Sequence, residues 1–251
     1  MNLLLLEPAE VGPGGAVELG DRRAEHLRGV LRAAPGRTVR VGVIGGGVGE
    51  GRVVSVADDR VELTVDIDEE SVPDDPWIDL IVALPRPAVL HRVLQTVAAM
   101  GVGRLELLAA WRVEKSFFSS PALCEPAIRK HLLLGAEQAM TTRLPQVEIR
   151  RLLVPFVREL GQRRDPPRRL LAHPEAARTF ESVFSLARGE RLEIAIGPEG
   201  GWIDREVETF RQAGFEPFSL GPWVLRVEAA VTAALAQAEL LRRLASKERG
   251  L

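Results

Sequence analysis

From Ile78 onward the chain alternates between two kinds of segment. Short apolar runs at Ile78–Leu84, Leu105–Ala109, Val147–Arg150, Arg169–Ala172, Leu192–Ile196 and Pro217–Leu220 read as strands. Segments with helical spacing separate and follow them, at Ala88–Met100, Glu125–Met140, Pro155–Gln162, Ala176–Arg188, Arg205–Ala213 and Val224–Ala245. No other feature narrows the possible folds as much. A helix between two strands carries the chain back to the end where the first strand began, so successive strands run parallel. A parallel sheet is buried on both faces, and the helices must supply the cover. The fold class expected is therefore α/β, with ligands bound beyond the carboxyl ends of the strands.

The residues before Ile78 follow another rule. Leu3–Leu6, Ala16–Leu19, Thr38–Ile44, Arg52–Ala57 and Arg60–Ile67 are short β candidates, and IGGGVGEG and ADDR are turns between them. They predict a small barrel or sandwich. One helix interrupts them, DRRAEHLRGVLR, with an apolar stripe of Leu27, Val30 and Leu31 and an end at Pro35-Gly36. Arg28 and Arg32 share its other face. The acidic stretch DIDEESVPDDP, residues 66–76, reads as a linker. Two domains are expected, 1–72 and 73–251.

Hydrophobic residues make up 46% of the chain, enough for a proper core. The opening MNLLLLEPAE has no basic flank and reads as a first strand rather than a signal peptide. Charges interrupt every apolar run well before about 18 residues, so no membrane span is expected. Cys124 is the single cysteine, and with four scattered histidines no metal motif is expected. A cytoplasmic protein fits these features. The net charge of −2 excludes a strong uniform field for nucleic acid. The halves differ, however: residues 1–76 balance to −7, with 8 basic against 15 acidic side chains, and the rest to +5. Only Lys115, Lys130 and Lys247 among the 33 basic residues are lysines.

Three strand ends carry the candidate chemistry. In IAIGPEGGWIDREVETF, Ile194–Phe210, a glycine-rich turn lies between strand and helix. Such turns often cradle phosphate. This one has no lysine and no closing Ser or Thr; it has Glu199, Asp204 and Glu206, which repel phosphate and complement the helix dipole. It suits a ligand that is neutral or positive near its reactive end. FSLGPWVLRVEAAVTAAL, Phe218–Leu235, repeats the design, and RLLAHPEAA ends a third strand at His173-Pro174. If the three ends converge, their irregular backbone is free to read an adenine ring without charge.

GPEGGW followed about twenty residues later by LGPWVLRVEAA resembles the SPOUT-class methyltransferases, above all the RsmE group that methylates uridine N3 in small-subunit ribosomal RNA. That group's pattern is GPEGG, then LG-x-R-I-L-R-T-E-T-A. LAHP resembles its L-H-P, and HLRGVLRAAPG its H-x-x-x-V-L-R motif, so the likeness spans nearly the whole chain. The resemblance implies a parallel sheet with a deep trefoil knot, a small N-terminal PUA-like β-barrel that binds RNA, and a homodimer. It implies S-adenosylmethionine as cofactor, a phosphate-free sulfonium cation that fits an acidic, lysine-free turn. His173, Pro174, Gly197, Pro198, Glu199, Gly200, Gly201, Leu220, Gly221, Val224 and Leu225 are the expected cofactor contacts. Arg22, His26, Arg28, Arg32, Arg112 and Arg143 are the expected RNA contacts, and no metal is expected. The partner is ribosomal RNA or the small subunit. Glu228 would accept the N3 proton and Arg226 would stabilise charge on the adjacent carbonyl oxygen.

The match is not complete. The group's first Arg in the last motif is Trp223, and its two Thr are Val227 and Ala229. Its E-Q-[S/C]-G-R is Glu137-Gln138-Ala139-Met140-Thr141, with the nearest arginine at Arg143. The departed positions are polar groups that would hold RNA, whereas the retained ones are turn residues around the cofactor. The alternatives are another RNA target, a non-catalytic RNA-binding role on the same fold, or a nucleotide-phosphate enzyme, against which the acidic turn counts. Trp202 and Trp223 each follow a turn and would cover either the cofactor or the core. Arg22, Arg28 and Arg32 also fit a solvated helix face, and His26, His91 and His131 fit structural or exposed sites.

Overall fold

The structure is a computed structural model that describes residues 2–184 and 189–248. The chain divides into two compact units. The first holds Met1–Asp74 and Leu132–Leu144, and the second holds Asp75–His131 and Pro145–Leu251. The segment Leu132–Leu144, expected with the second part, thus groups with the first.

In the first unit, β1 (Leu4–Leu6), β2 (Ala16–Leu19), β3 (Thr38–Val43), β4 (Val48–Val56) and β5 (Val61–Asp68) form one curled sheet in the order β1-β3-β4-β5-β2. Only β1 and β3 pair in parallel. Two expectations shift here. The IGGGVGEG turn is shorter than its glycines indicate, and the linker begins later than Asp66. One cause accounts for both: the β4–β5 ladder runs on to the pair Val48–Asp68, because backbone groups at both ends find partners. Leu4, Leu6, Val17, Val41, Leu63 and Leu27 fill this unit's core. Leu27 comes from α1 (Arg22–Gly29), capped by the Asp21 carboxylate, which accepts the Arg23 N–H at 2.9 Å. The other side of β1 places Leu3 and Leu5 against Ala136 of α3 (Glu125–Ala139).

The second unit holds β6 (Ile78–Ala83), β7 (Arg104–Leu108), β8 (Gln146–Arg150), β9 (Arg168–Ala172), β10 (Leu192–Ile196) and β11 (Glu216–Phe218). All pair in parallel, in the order β11-β9-β10-β6-β7-β8. The residues of its central strands are buried almost throughout, as a sheet covered on both faces requires. α4 (Leu153–Gly161) and α6 (Asp204–Gln212) cover one face: Phe156, Val157, Leu160 and Phe210 lie against Ile81, Leu171 and Ala195. α2 (Pro87–Ala99) and α7 (Val227–Glu248) pack together, and α7 lies against β10.

The helix expected over Ala176–Arg188 is a correction. Only α5, Phe180–Val183, is helical there, and 185–188 lie outside the described residues. The preceding backbone is committed to the sheet: the Ser219 N–H donates to the Arg178 carbonyl at 2.8 Å, and Thr179 bridges Ser219. Backbone engaged in a ladder cannot also close helical turns.

Candidate functional site

β10, β9 and β11 are neighbours in the sheet and run parallel, so the turns that follow them open on one edge. After β9 come His173 and Pro174, after β10 the turn Gly197–Trp202, and after β11 the segment Leu220–Leu225. Together they enclose a cavity of about 460 Å³. Every residue expected to contact a cofactor lines it.

Local hydrogen bonds shape each wall. The His173 N–H donates to the Phe218 carbonyl at 2.9 Å, which joins the first and third turns. The Gly201 N–H donates to the Pro198 carbonyl at 2.8 Å, closing the second turn. Gln237 of α7 donates to the Leu220 carbonyl at 3.0 Å. Two glycines are there for conformation: Gly201 has φ +74° and Gly221 φ +145°, both regions that disfavour a side chain. Gly197 allows close approach instead, since a Cβ there would lie 3.1 Å from the Trp202 Nε1.

The charges around the cavity are partly compensated. Glu199 pairs with Arg86 at 3.4 Å, and Arg112 donates to the Gly200 carbonyl. Asp204 sits in the first turn of α6, where a carboxylate offsets the helix dipole. Buried Glu206 holds the turn from below: its two oxygens accept the Trp111 N–H at 2.7 Å and the Ile203 N–H at 3.0 Å. Trp202 is buried on Phe210, with ring centroids 5.0 Å apart, and also lines the cavity; Trp223 is 73% exposed at the cavity's rim.

Arg226 and Glu228 are not in the cavity wall. They flank its lining residue Val227 in the chain: Arg226 is exposed, and Glu228 pairs with Arg92 of α2 at 3.7 Å. The expected RNA contacts scatter. Arg112 is in the cavity beside Gly200. Arg22 is held by both oxygens of buried Glu137, at 2.6 and 3.0 Å, and His26 lies beside that pair. Arg28 reaches the carbonyls of Ala24 and Ala57 at 3.4 Å, and Arg32 has a left-handed backbone, φ 46°. Arg143 donates to the Pro73 carbonyl at 2.8 Å. Sequence spacing did not reveal Arg86, Arg92 or the Trp111 partner of Glu206, because each of these pairs joins segments far apart in the chain.

Residues 73–239 match the family of the RNA methyltransferase domain. The chain belongs to that family. This RNA methyltransferase is 31% identical over 244 residues to Ribosomal RNA small subunit methyltransferase E of Treponema pallidum, a match that covers 94% of this chain and 90% of that protein. It is 25% identical over 239 residues to Ribosomal RNA small subunit methyltransferase E 1 of Borreliella burgdorferi, 93% of this chain and 95% of the other. In fold, the methyltransferase is similar to the crystal structure of Ribosomal RNA small subunit methyltransferase E from Neisseria gonorrhoeae bound to S-adenosyl methionine. The TM-score is 0.79 at 22% identity, with 96% of this chain and 98% of that chain covered. Among the described residues of the methyltransferase, no helix is long and apolar enough to cross a membrane.

Proposed function

We propose that this methyltransferase moves the methyl group of S-adenosylmethionine to N3 of a uridine in small-subunit ribosomal RNA. The observation that carries the proposal is the convergence of three turns on one lysine-free cavity. Its residues fit the cofactor: Leu220, Val224 and Leu225 offer apolar contact, the turns offer backbone groups, and Glu175, Glu199 and Asp204 suit a cation better than a phosphate. When bound, the cofactor supplies an activated methyl group on a positively charged sulfur. The protein's part is to align the base with that methyl and to manage charge. Glu228 takes the N3 proton, and Arg92 orients it. Arg226 stabilises the negative charge that develops on the neighbouring carbonyl oxygen.

Several finer features belong to the same proposal. β10 enters the sheet between β6 and β9, the kind of re-entry a deep trefoil knot needs. The curled sheet of the first unit serves as a PUA-like RNA-binding barrel over residues 1–72, and 73–251 form the catalytic domain. Two copies pair through α7, where Ala229, Ala236, Leu240 and Leu244 form an exposed small and apolar stripe at helical spacing. A ribosomal RNA substrate puts the enzyme in the cytoplasm.

The test is transfer of labelled methyl from S-adenosylmethionine to small-subunit RNA, with the product base mapped by mass. Calorimetry with S-adenosylmethionine and with ATP separates a methyltransferase from a nucleotide-phosphate enzyme. A second role, RNA binding without catalysis, is favoured by the position of Arg226 and Glu228 outside the cavity wall. Methyl transfer by the wild type eliminates it, and cofactor binding without transfer supports it.

A further inference from the structure

A second cavity, of about 650 Å³, lies between the segment after β7, the connection from β8 to α4, and the start of α6. Its floor is apolar, formed by Ala109, Ala110, Val113 and Leu153 among others. Its rim carries three exposed cations, Lys115, Arg151 and Arg205. None of the three takes part in an ion pair among the described residues. Its one carboxylate, Glu206, is buried and already accepts two backbone N–H groups. Trp111 stands at this rim 80% exposed, an unusual cost for so large an apolar ring in water. Phe118 lies nearby with the Arg151 guanidinium 5.2 Å from its ring centroid.

We propose that this cavity holds a nucleotide of single-stranded RNA next to the target base. An exposed indole beside an apolar cavity and a net positive rim matches how single strands are bound: bases stack on aromatic rings and phosphates meet cations. Chain connectivity links it to the first cavity. Trp111 and Arg112 are consecutive, and while Trp111 lines this cavity, Arg112 donates to Gly200 in the glycine turn. A strand that delivers a base to that turn has its flanking nucleotide within reach of Trp111. The proposal depends on the chain acting on RNA, and it adds a contact surface in the second unit, apart from the arginines of α1.

The experiment measures binding of a fluorescein-labelled single-stranded oligouridine to the full chain, with S-adenosylmethionine affinity as an independent check of folding. Trp111→Ala should weaken RNA binding roughly 5- to 150-fold, the range expected when one base no longer stacks, while Trp111→Phe should retain most of it. Lys115→Ala with Arg151→Ala should lower the salt dependence by about 0.7 for each phosphate that is no longer neutralised. Cofactor affinity should stay unchanged in all of these variants. Wild-type RNA binding that is indifferent to Trp111→Ala overturns this site and leaves the methyltransferase proposal standing. No oligouridine binding by the wild type overturns this site, while methyl transfer to small-subunit RNA still decides the methyltransferase proposal. Polyglutamate binding as tightly as RNA, sensitive to the cations and not to Trp111, assigns the surface to an acidic protein and overturns it too.

Discussion

Gly221 and Gly201 show at the residue scale why a motif glycine is not interchangeable with its neighbour. Both have positive φ, whereas Gly200 is constrained only by the Arg112 side chain, whose Cδ would lie 2.9 Å from an added Cβ and can swing aside. Gly221→Ala should therefore cost about 1–3 kcal/mol of local strain, seen in calorimetry as weaker S-adenosylmethionine binding. Gly200→Ala should be far milder, and equal losses at both positions would reject backbone conformation as the cause. Glu228 and Arg226 are tested by chemistry rather than affinity. In single-turnover transfer at saturating cofactor and RNA, Glu228→Gln should slow the step by about 10²–10⁴-fold if it is the base. Arg226→Ala should slow it as well, and more RNA should not restore the rate. Rates near wild type in both variants would remove them from the mechanism.

At the scale of elements, a single arginine ties a helix to the chain beside it. Arg23 of α1 donates to the Leu5 carbonyl of β1 at 2.7 Å and to both oxygens of Glu10, at 2.5 and 2.8 Å. The hydrogen bond from Arg23 holds the Glu10 carboxyl below its ordinary value of 4.5. The unfolded chain therefore binds the proton more readily than the folded one. The stabilisation is full above about pH 4.5 and is lost as pH falls through the folded value. The gap in urea midpoint between wild type and Glu10→Gln should be widest near neutrality and close in acid. A gap that does not change with pH would show that the pair contributes by shape alone. Arg22 has a similar attachment to Glu137, which leaves its guanidinium less free for RNA than the sequence pattern implies.

For the whole molecule, the proposed pairing through α7 would bring a second copy close to Arg226. Arg226 is exposed, and the apolar stripe of α7 begins only three residues later at Ala229. A partner seated on that stripe would cover Leu240 and Leu244, which are 48% and 47% exposed. Twofold pairing is the commonest way to bury such a surface. Light scattering at micromolar concentration should give twice the chain mass, and Leu240→Glu with Leu244→Glu should reduce it to one. A wild-type monomer would exclude a site shared between subunits.

Periodicity alone was enough to locate every strand of the parallel sheet to within one or two residues, because buried strands are continuous apolar runs and amphipathic helices repeat at 3.6. The family resemblance also named the turn residues that come to line one cavity, where glycine and proline constrain the backbone. What sequence could not supply was pairing across space. The α5 region looked helical by composition, yet its backbone bonds to residues beside β11. Leu132–Leu144 looked like part of the second unit, yet its apolar side chains lie with Leu3 and Leu5. Arg112 also meets the Gly200 carbonyl 88 residues away, a pairing that nothing near it in the chain indicates. These outcomes depend on which groups meet after the chain has closed on itself, and a local pattern carries no record of a partner so distant in sequence.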